Sequence, residues 1–247
     1  ISDKLERDSL INQYCQETLQ ASAEIGNYIE KLHNALILED DEDFQKRDIQ
    51  SQEFLDTYTS KLEEMISEIQ NTIQQKSKEA FYNLPKISSI LIDIKDIIEK
   101  FKTDFKLEVI TIQPVHQDLH MEQILYNRQN EHHEFYFIDF EGDPQLSIQE
   151  KKAKFPVEKD IASFLRSLSY IKYNSLLTYI EKNIVRTEHF EVPEEVLYSL
   201  YFRKAAVKKS AHAVLDAVIT LLDAWEDKMI AKLLKALSPE STDITLI

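Results

Sequence analysis

Glycine is nearly missing: the chain has two in 247 residues, where globular chains carry about 7%. Phosphate-cradling loops need several glycines close together, so that backbone N–H groups can approach the phosphates. A Walker A loop, a dinucleotide fingerprint and a kinase-type glycine loop are therefore excluded from this stretch of chain. Cysteine is as scarce. The one residue, Cys15, excludes an internal disulfide framework and a cysteine-based zinc ribbon. Apolar runs are only a few residues long, too short to span a membrane. The first twenty residues are charged and periodic, which does not suit a signal peptide. Bases are outnumbered, 29 Lys and Arg against 44 Asp and Glu, for a net charge of −15. Such a surface repels phosphate backbones and anionic lipid, so neither nucleic acid nor membrane is expected as a partner. A soluble, cytoplasmic protein is the expectation.

What is present suits a folded chain, with 43% apolar and 30% charged residues. The length fits one large domain or two small ones. Helical periodicity dominates. Apolar residues from Leu5 through Leu19 and Ile29 to Leu36 recur at three- and four-residue steps, predicting a helix over 2–38. The acidic run 39–43 reads as a solvated linker. A second helix is predicted over 52–82, with Pro85 interrupting, and a third over 88–101. No β-rich stretch is expected before Val109. Val109–Ile112 is short and β-branched and suits a strand. Residues 123–126 and 135–140 read as a hairpin around a polar tip, 127–134. His132 and His133 at that tip, between Glu131 and Glu134, are expected to be exposed. Helices return over 160–175 and 194–237. The expected fold class is mainly α with a small β-hairpin insert. It divides into helices over 2–102, a loop and hairpin over 107–145, and helices over 158–238.

The polar residues that a solvated face does not explain lie between 116 and 143. Asp139 and Glu141 follow the apolar run Phe135–Ile138. In an extended chain, residues two apart point to one side. Two carboxylates there repel unless a cation lies between them, and oxygen-only ligands suit Mg²⁺. A solvated acidic turn is the plainer alternative. Upstream lies His116-Gln117-Asp118-Leu119-His120. An extended His-x-Asp-x-His set could hold zinc. It could equally carry an aspartate base, with the histidines shaping its loop. The order of parts is that of phosphoryl transfer in kinase-like folds: a loop Asp, a side-chain amide five residues on, then an Asp after a hairpin strand. Asp118, Gln123 and Asp139 occupy those places.

Those residues also carry a family resemblance. The stretch His116 to Gln123, followed by Phe137-Ile138-Asp139-Phe140-Glu141-Gly142-Asp143-Pro144, resembles the catalytic core of maltokinases and bacterial glucosamine kinases. These form a branch of the aminoglycoside-phosphotransferase-like kinases. Their pattern is His-Gly-Asp-x-His-Leu-Gly-Gln, then a strand ending Ile-Asp-Phe-Glu-Gly-Glu-Pro. The likeness continues through Glu150, Lys154, Pro156, Asp160, Ala162, Arg166 and Ser167, and upstream through Gly26 and the pair Leu32-His33. It implies the C-terminal lobe of a kinase-like fold acting on a sugar with ATP. Asp118 would orient and deprotonate a sugar hydroxyl. Gln123 and Asp139 would hold Mg²⁺ and, through it, the nucleotide. Glu141 would support the metal or a sugar hydroxyl, and His116 and His120 would hold the loop's shape. Lys154, Asp160 and Arg166 would be structural or face the substrate.

The resemblance has two departures. Gln117 stands where the family has Gly. The family's N-terminal lobe, with its sheet, covering loop and Lys, has no counterpart before residue 109. The expectation is a C-terminal lobe whose nucleotide lobe comes from the same or another chain, and which is inactive by itself. Maltose, giving maltose 1-phosphate, and an amino sugar both fit the motif. Two alternatives belong to other classes. One is a non-catalytic kinase-like interaction module. The other is a metal-dependent hydrolase built on His116, Asp118, His120 and Asp139.

Overall fold

The protein is described from a computed structural model that covers residues 4–76, 84–129, 132–142, 147–182 and 209–237. Two helices open it, α1 (Lys4–Tyr14) and α2 (Gln16–Ala35). The single helix expected over 2–38 is therefore interrupted. Cys15 leaves the helical region at φ −117°, ψ 16°, and its carbonyl accepts from the Thr18 hydroxyl at 2.9 Å. The break lets α1 and α2 each follow the final helix, α7 (Lys209–Leu237).

Gly26 is needed where α2 meets α7. A Cβ there would lie 2.8 Å from the Leu233 carbonyl oxygen and from the Ala236 Cβ. One turn earlier, the buried Ser22 hydroxyl donates to the Met229 carbonyl at 2.8 Å. Helix α6 (Glu158–Ile180) completes this layer. Ile11, Ile25, Ile29, Phe164, Leu168 and Leu233 form the main core together with Leu119 and Phe135. Each such side chain contributes about 1.5–3 kcal/mol by leaving water. Leu119 and Phe135 pin the 116–120 loop and the hairpin to this core. A further apolar cluster, Leu176, Ile180 and Leu215, joins the far end of α6 to α7.

Between α2 and the loop lies a projecting unit. Strand β1 (Arg47–Gln50) leads into α3 (Ser51–Lys76), and α4 (Leu84–Asp104) returns to β2 (Val109–Ile112). Pro85 sits in the first turn of α4, where its missing N–H costs nothing. Strands β1 and β2 pair antiparallel, from Arg47 opposite Ile112 to Gln50 opposite Val109. A strand thus does precede Val109, contrary to expectation. Its sequence Arg-Asp-Ile-Gln offers one apolar residue and no alternation, and its partner makes it a strand.

The expected hairpin forms from β3 (Ile124–Gln129) and β4 (His132–Phe137). Its pairs run from Ile124 opposite Phe137 to Gln129 opposite His132. The strands therefore extend well into the supposed tip, and only residues 130 and 131 connect them. This overturns the exposed reading of His133, which is buried. His133 lies two residues from Phe135, on the same inward face, and its ring stacks near Tyr126 with Nδ1 2.8 Å from the Tyr126 hydroxyl. The His132 side chain, and the helix expected over 194–208, lie outside the described residues. A short helix, α5 (Ile148–Lys151), precedes α6. Among the described residues, no helix is long and apolar enough to cross a membrane.

Candidate active site

Asp160, in the first turn of α6, organises the site from below. Its side chain is fully buried. Oδ2 accepts from the His116 backbone N–H at 2.8 Å and lies 3.0 Å from His33 Nε2; Oδ1 accepts from the Gln117 N–H at 2.8 Å. A buried carboxylate needs such partners, since an unpaired one costs several kcal/mol. One carboxylate thereby joins α2, the 116–120 loop and α6. Gln113 adds a second tie, donating from its side chain to the His33 carbonyl at 2.8 Å.

Held this way, the loop turns at Gln117, whose φ is +72°. That is the left-handed region, in which a residue other than glycine costs about 1–2 kcal/mol. The glutamine side chain is engaged. Its Nε2 donates to the Lys151 carbonyl at 2.5 Å and more weakly to the Ala153 carbonyl at 3.4 Å. Its Cβ lies 3.7 Å from where a Cβ would stand on Gly142, itself at φ +69°. Gln117 therefore joins the 116–120 loop, Gly142 and the C-terminal end of α5. Glycine could make none of these contacts.

His116 points inward and is buried. Its Nε2 lies 2.9 Å from the Ile138 carbonyl, so that nitrogen carries the proton. The ring also packs on Phe140, with centroids 4.9 Å apart. This fixes the chain just past β4. There Asp139 adopts φ +65°, so the extended geometry expected for Asp139 and Glu141 does not hold. Both are exposed, but the left-handed turn between strand and acids removes the simple same-side relation. Glu141 forms no hydrogen bond with Gln123 or Asp139.

Gln123 and Asp139 do meet. Gln123 Nε2 donates to Asp139 Oδ2 at 2.9 Å across sixteen residues of sequence. The same nitrogen lies 3.3 Å from His120 Nε2, which accepts when unprotonated. His120 Nε2 is in turn 3.8 Å from Asp118 Oδ2, an ion-pair distance when the imidazole is charged. Asp118, His120, Gln123 and Asp139 thus line one open edge of the hairpin. The Asp118 side chain is 38% exposed and accessible to a substrate.

The group types fit Mg²⁺, one carboxylate and one side-chain amide, once the Gln123 amide turns its oxygen rather than Nε2 toward Asp139. They do not fit a closed zinc site. Among the described residues, no three or more His, Cys, Asp or Glu gather as a metal-binding group. The four residues of the hydrolase reading, His116, Asp118, His120 and Asp139, form no such group.

Sequence reasoning underrated Asp160 and His33. Their partners lie 44 and 127 residues away from Asp160 in the chain, and no local pattern announces such a hub. Lys154 and Arg166 are directed elsewhere. Lys154 Nζ donates to the Glu42 carbonyl at 2.6 Å, and Arg166 lies on Tyr170 one turn along α6.

Compared with protein-family models, the sequence matches none. The fold has solved counterparts. Its mostly helical fold, with two small antiparallel sheets among the described residues, matches that of a kinase-like structure. The chain is similar to glucosamine kinase in complex with glucosamine, ADP and inorganic phosphate, with a TM-score of 0.57 at 16% identity. The likeness covers 96% of this chain and 47% of that one. A second crystal form of glucosamine kinase matches at TM-score 0.56 and 17% identity, over 94% of this chain and 45% of that one. The chain thus spans about half the length of these structures.

Proposed function

We propose that this chain is the catalytic lobe of an ATP-dependent sugar kinase. The observation that carries the reading is the contact of Gln123 with Asp139 at 2.9 Å, beside Asp118 on a loop anchored through Asp160. An amide, an acid and a partly exposed carboxylate from separate segments come together in the order phosphoryl transfer would need. The likeness to a kinase crystallised with glucosamine and ADP supports the same reading.

In this reading Asp118 accepts a hydrogen bond from a sugar hydroxyl. It takes that proton as the hydroxyl oxygen bonds to the γ-phosphorus and the bond to ADP breaks. ADP leaves with the electron pair. Gln123 and Asp139 would hold Mg²⁺, and Glu141 would support the metal site or a sugar hydroxyl. When bound, the ion neutralises charge on the phosphates. His116 and His120 keep the loop in register, and Gln117 replaces the flexibility of glycine with a fixed strut. The substrate is a sugar such as glucosamine or maltose, the latter giving maltose 1-phosphate. The phosphate-covering β lobe is supplied by residues outside these 247, in the same or another chain, and the site works in the cytoplasm. The 247 residues alone would turn over little or no ATP.

Titrating Mg²⁺ and following the Gln123 side-chain amide by nuclear magnetic resonance tests the site. Shifts centred on 118–123 and 138–141 are expected, at millimolar Mg²⁺ as a rough figure for so few protein ligands. Shifts centred elsewhere would sink the assignment.

A further inference from the structure

Helices α3 and α4 form an arm with its own small core, separate from the main one. Ile66, Leu91 and Ile98 are buried between them, flanked by Leu62, Ile73 and Ile87. The helices pack mainly on each other and on β1. The arm is about 39 Å long at 1.5 Å per residue of α3.

Its two outer sides differ. On one side Lys102 Nζ donates to Glu63 Oε1 at 2.6 Å, bridging the helices. At about 100° per residue, Asp56, Ser60 and Ser67 share that side of α3, and Lys95 and Glu99 that of α4. The opposite side is apolar. Tyr58, Met65 and Ile69 line it on α3, and Ile90, Ile94 and Ile97 on α4. The Ile66, Leu91 and Ile98 core sets the rotation of both helices and the Lys102–Glu63 bridge marks their other side, so these two stripes lie on one face. Their residues are 38% to 65% exposed. Charges stand at the flanks, Lys61 and Glu68 on α3 and Asp93, Asp96 and Lys100 on α4.

We propose that this face pairs with the same face of a second copy of the chain. Two antiparallel helical hairpins stacked face to face close a four-helix bundle around the twelve side chains. The area agrees. Six half-exposed large side chains offer roughly 500 Å², in the upper part of the range for the largest apolar patch of a monomer, a size that is often functional. A standard interface buries about 800 Å² per partner, with about two-thirds of it apolar in homodimers. The face supplies that apolar share. A two-fold axis also uses one patch twice, so no second surface need be found. The pairing is independent of the kinase reading.

Sedimentation equilibrium of the 247-residue chain tests it. The parent is expected at twice 29.0 kDa at micromolar concentration. Met65→Glu with Ile97→Glu is expected to return it to a monomer with unchanged helical circular dichroism. Ile97→Lys alone gives the same direction if the double variant folds poorly, since Ile97 is 65% exposed. Ile92→Glu, on the α4 surface outside the stripe, leaves the dimer intact. A parent that stays monomeric at about 100 μM overturns the proposal. So does a dimer that survives the stripe substitutions, or one lost equally in Ile92→Glu. Occupation of the face by a different chain, with the parent monomeric, overturns it too.

Discussion

His33 Nε2 lies 3.0 Å from Asp160 Oδ2, and both side chains are buried. The pair ties helix α2 to helix α6, and the same carboxylate fixes the loop that carries Asp118 through the His116 and Gln117 amides. The placement of Asp118 therefore depends on an aspartate that is itself fully buried.

Asp160→Asn should be costly. Asparagine keeps one acceptor oxygen but turns an NH₂ toward a backbone N–H, leaving donors facing donors in a dry site. A loss of about 3–5 kcal/mol is expected, the range for breaking a buried pair. Urea unfolding measures it. A loss under about 1 kcal/mol would remove Asp160 as the hub.

Gln117 separates two opposing effects. Gln117→Ala keeps the left-handed backbone and loses the side-chain bonds to 151 and 153, so it should cost about 1–2 kcal/mol. Gln117→Gly loses the same bonds but relieves the strain, against a glycine entropy cost of about 0.5–1 kcal/mol. The glycine variant should be the more stable of the two by roughly 1 kcal/mol. In both, amide exchange should quicken over 151–154. Alanine matching or exceeding glycine in thermal unfolding would contradict the strained geometry.

Much of this was legible in the sequence, for definable reasons. Helices α3, α4 and α6 follow from apolar spacing, and the hairpin follows from its β-branched and aromatic runs. Asp118, Gln123 and Asp139 stood out because they interrupt apolar scaffold with groups that need partners. Strand β1 did not, because only Ile49 faces inward and β2 supplies the rest. His133 was misplaced because the loop length was misjudged: a two-residue connection makes 133 share a face with Phe135. The turn at Asp139 was invisible, because its left-handed backbone depends on His116 gripping the Ile138 carbonyl from another segment.

The acid side of the pH profile should show Glu150. Its carboxylate accepts from the Ser147 backbone N–H first, then from the Ser147 hydroxyl and Lys61, which together lower its pKa from 4.5 to about 2. A depressed carboxyl stabilises the fold above the unfolded value and loses that contribution as pH falls through the folded one. The capping box of α5 should thus hold at pH 5 and come apart between about 4.5 and 2. Carbon-detected titration of Glu150 checks this, and Ser147→Ala should move its midpoint up. A midpoint near 4.5 in the parent would rule out the cap.

Gly26→Ala tests the α2–α7 contact. The added methyl would meet the Leu233 carbonyl oxygen at 2.8 Å, and backbone cannot yield as a side chain can. Overpacking of about 1–3 kcal/mol is expected. Unchanged thermal stability would mean that the helices do not approach so closely.

The central claim is that Asp118 takes a proton during phosphoryl transfer, and sugar phosphorylation measures it most directly. The assay uses the chain together with the nucleotide lobe it works with, ATP and Mg²⁺, and offers glucosamine and maltose in parallel. Asp118→Asn should cut turnover by about 10²–10⁴-fold, the range for a general base, with ATP affinity nearly unchanged. Asp139→Asn should weaken ATP binding and slow the chemistry together. If Asp118→Asn phosphorylates either sugar at the parent rate, the catalytic assignment is wrong.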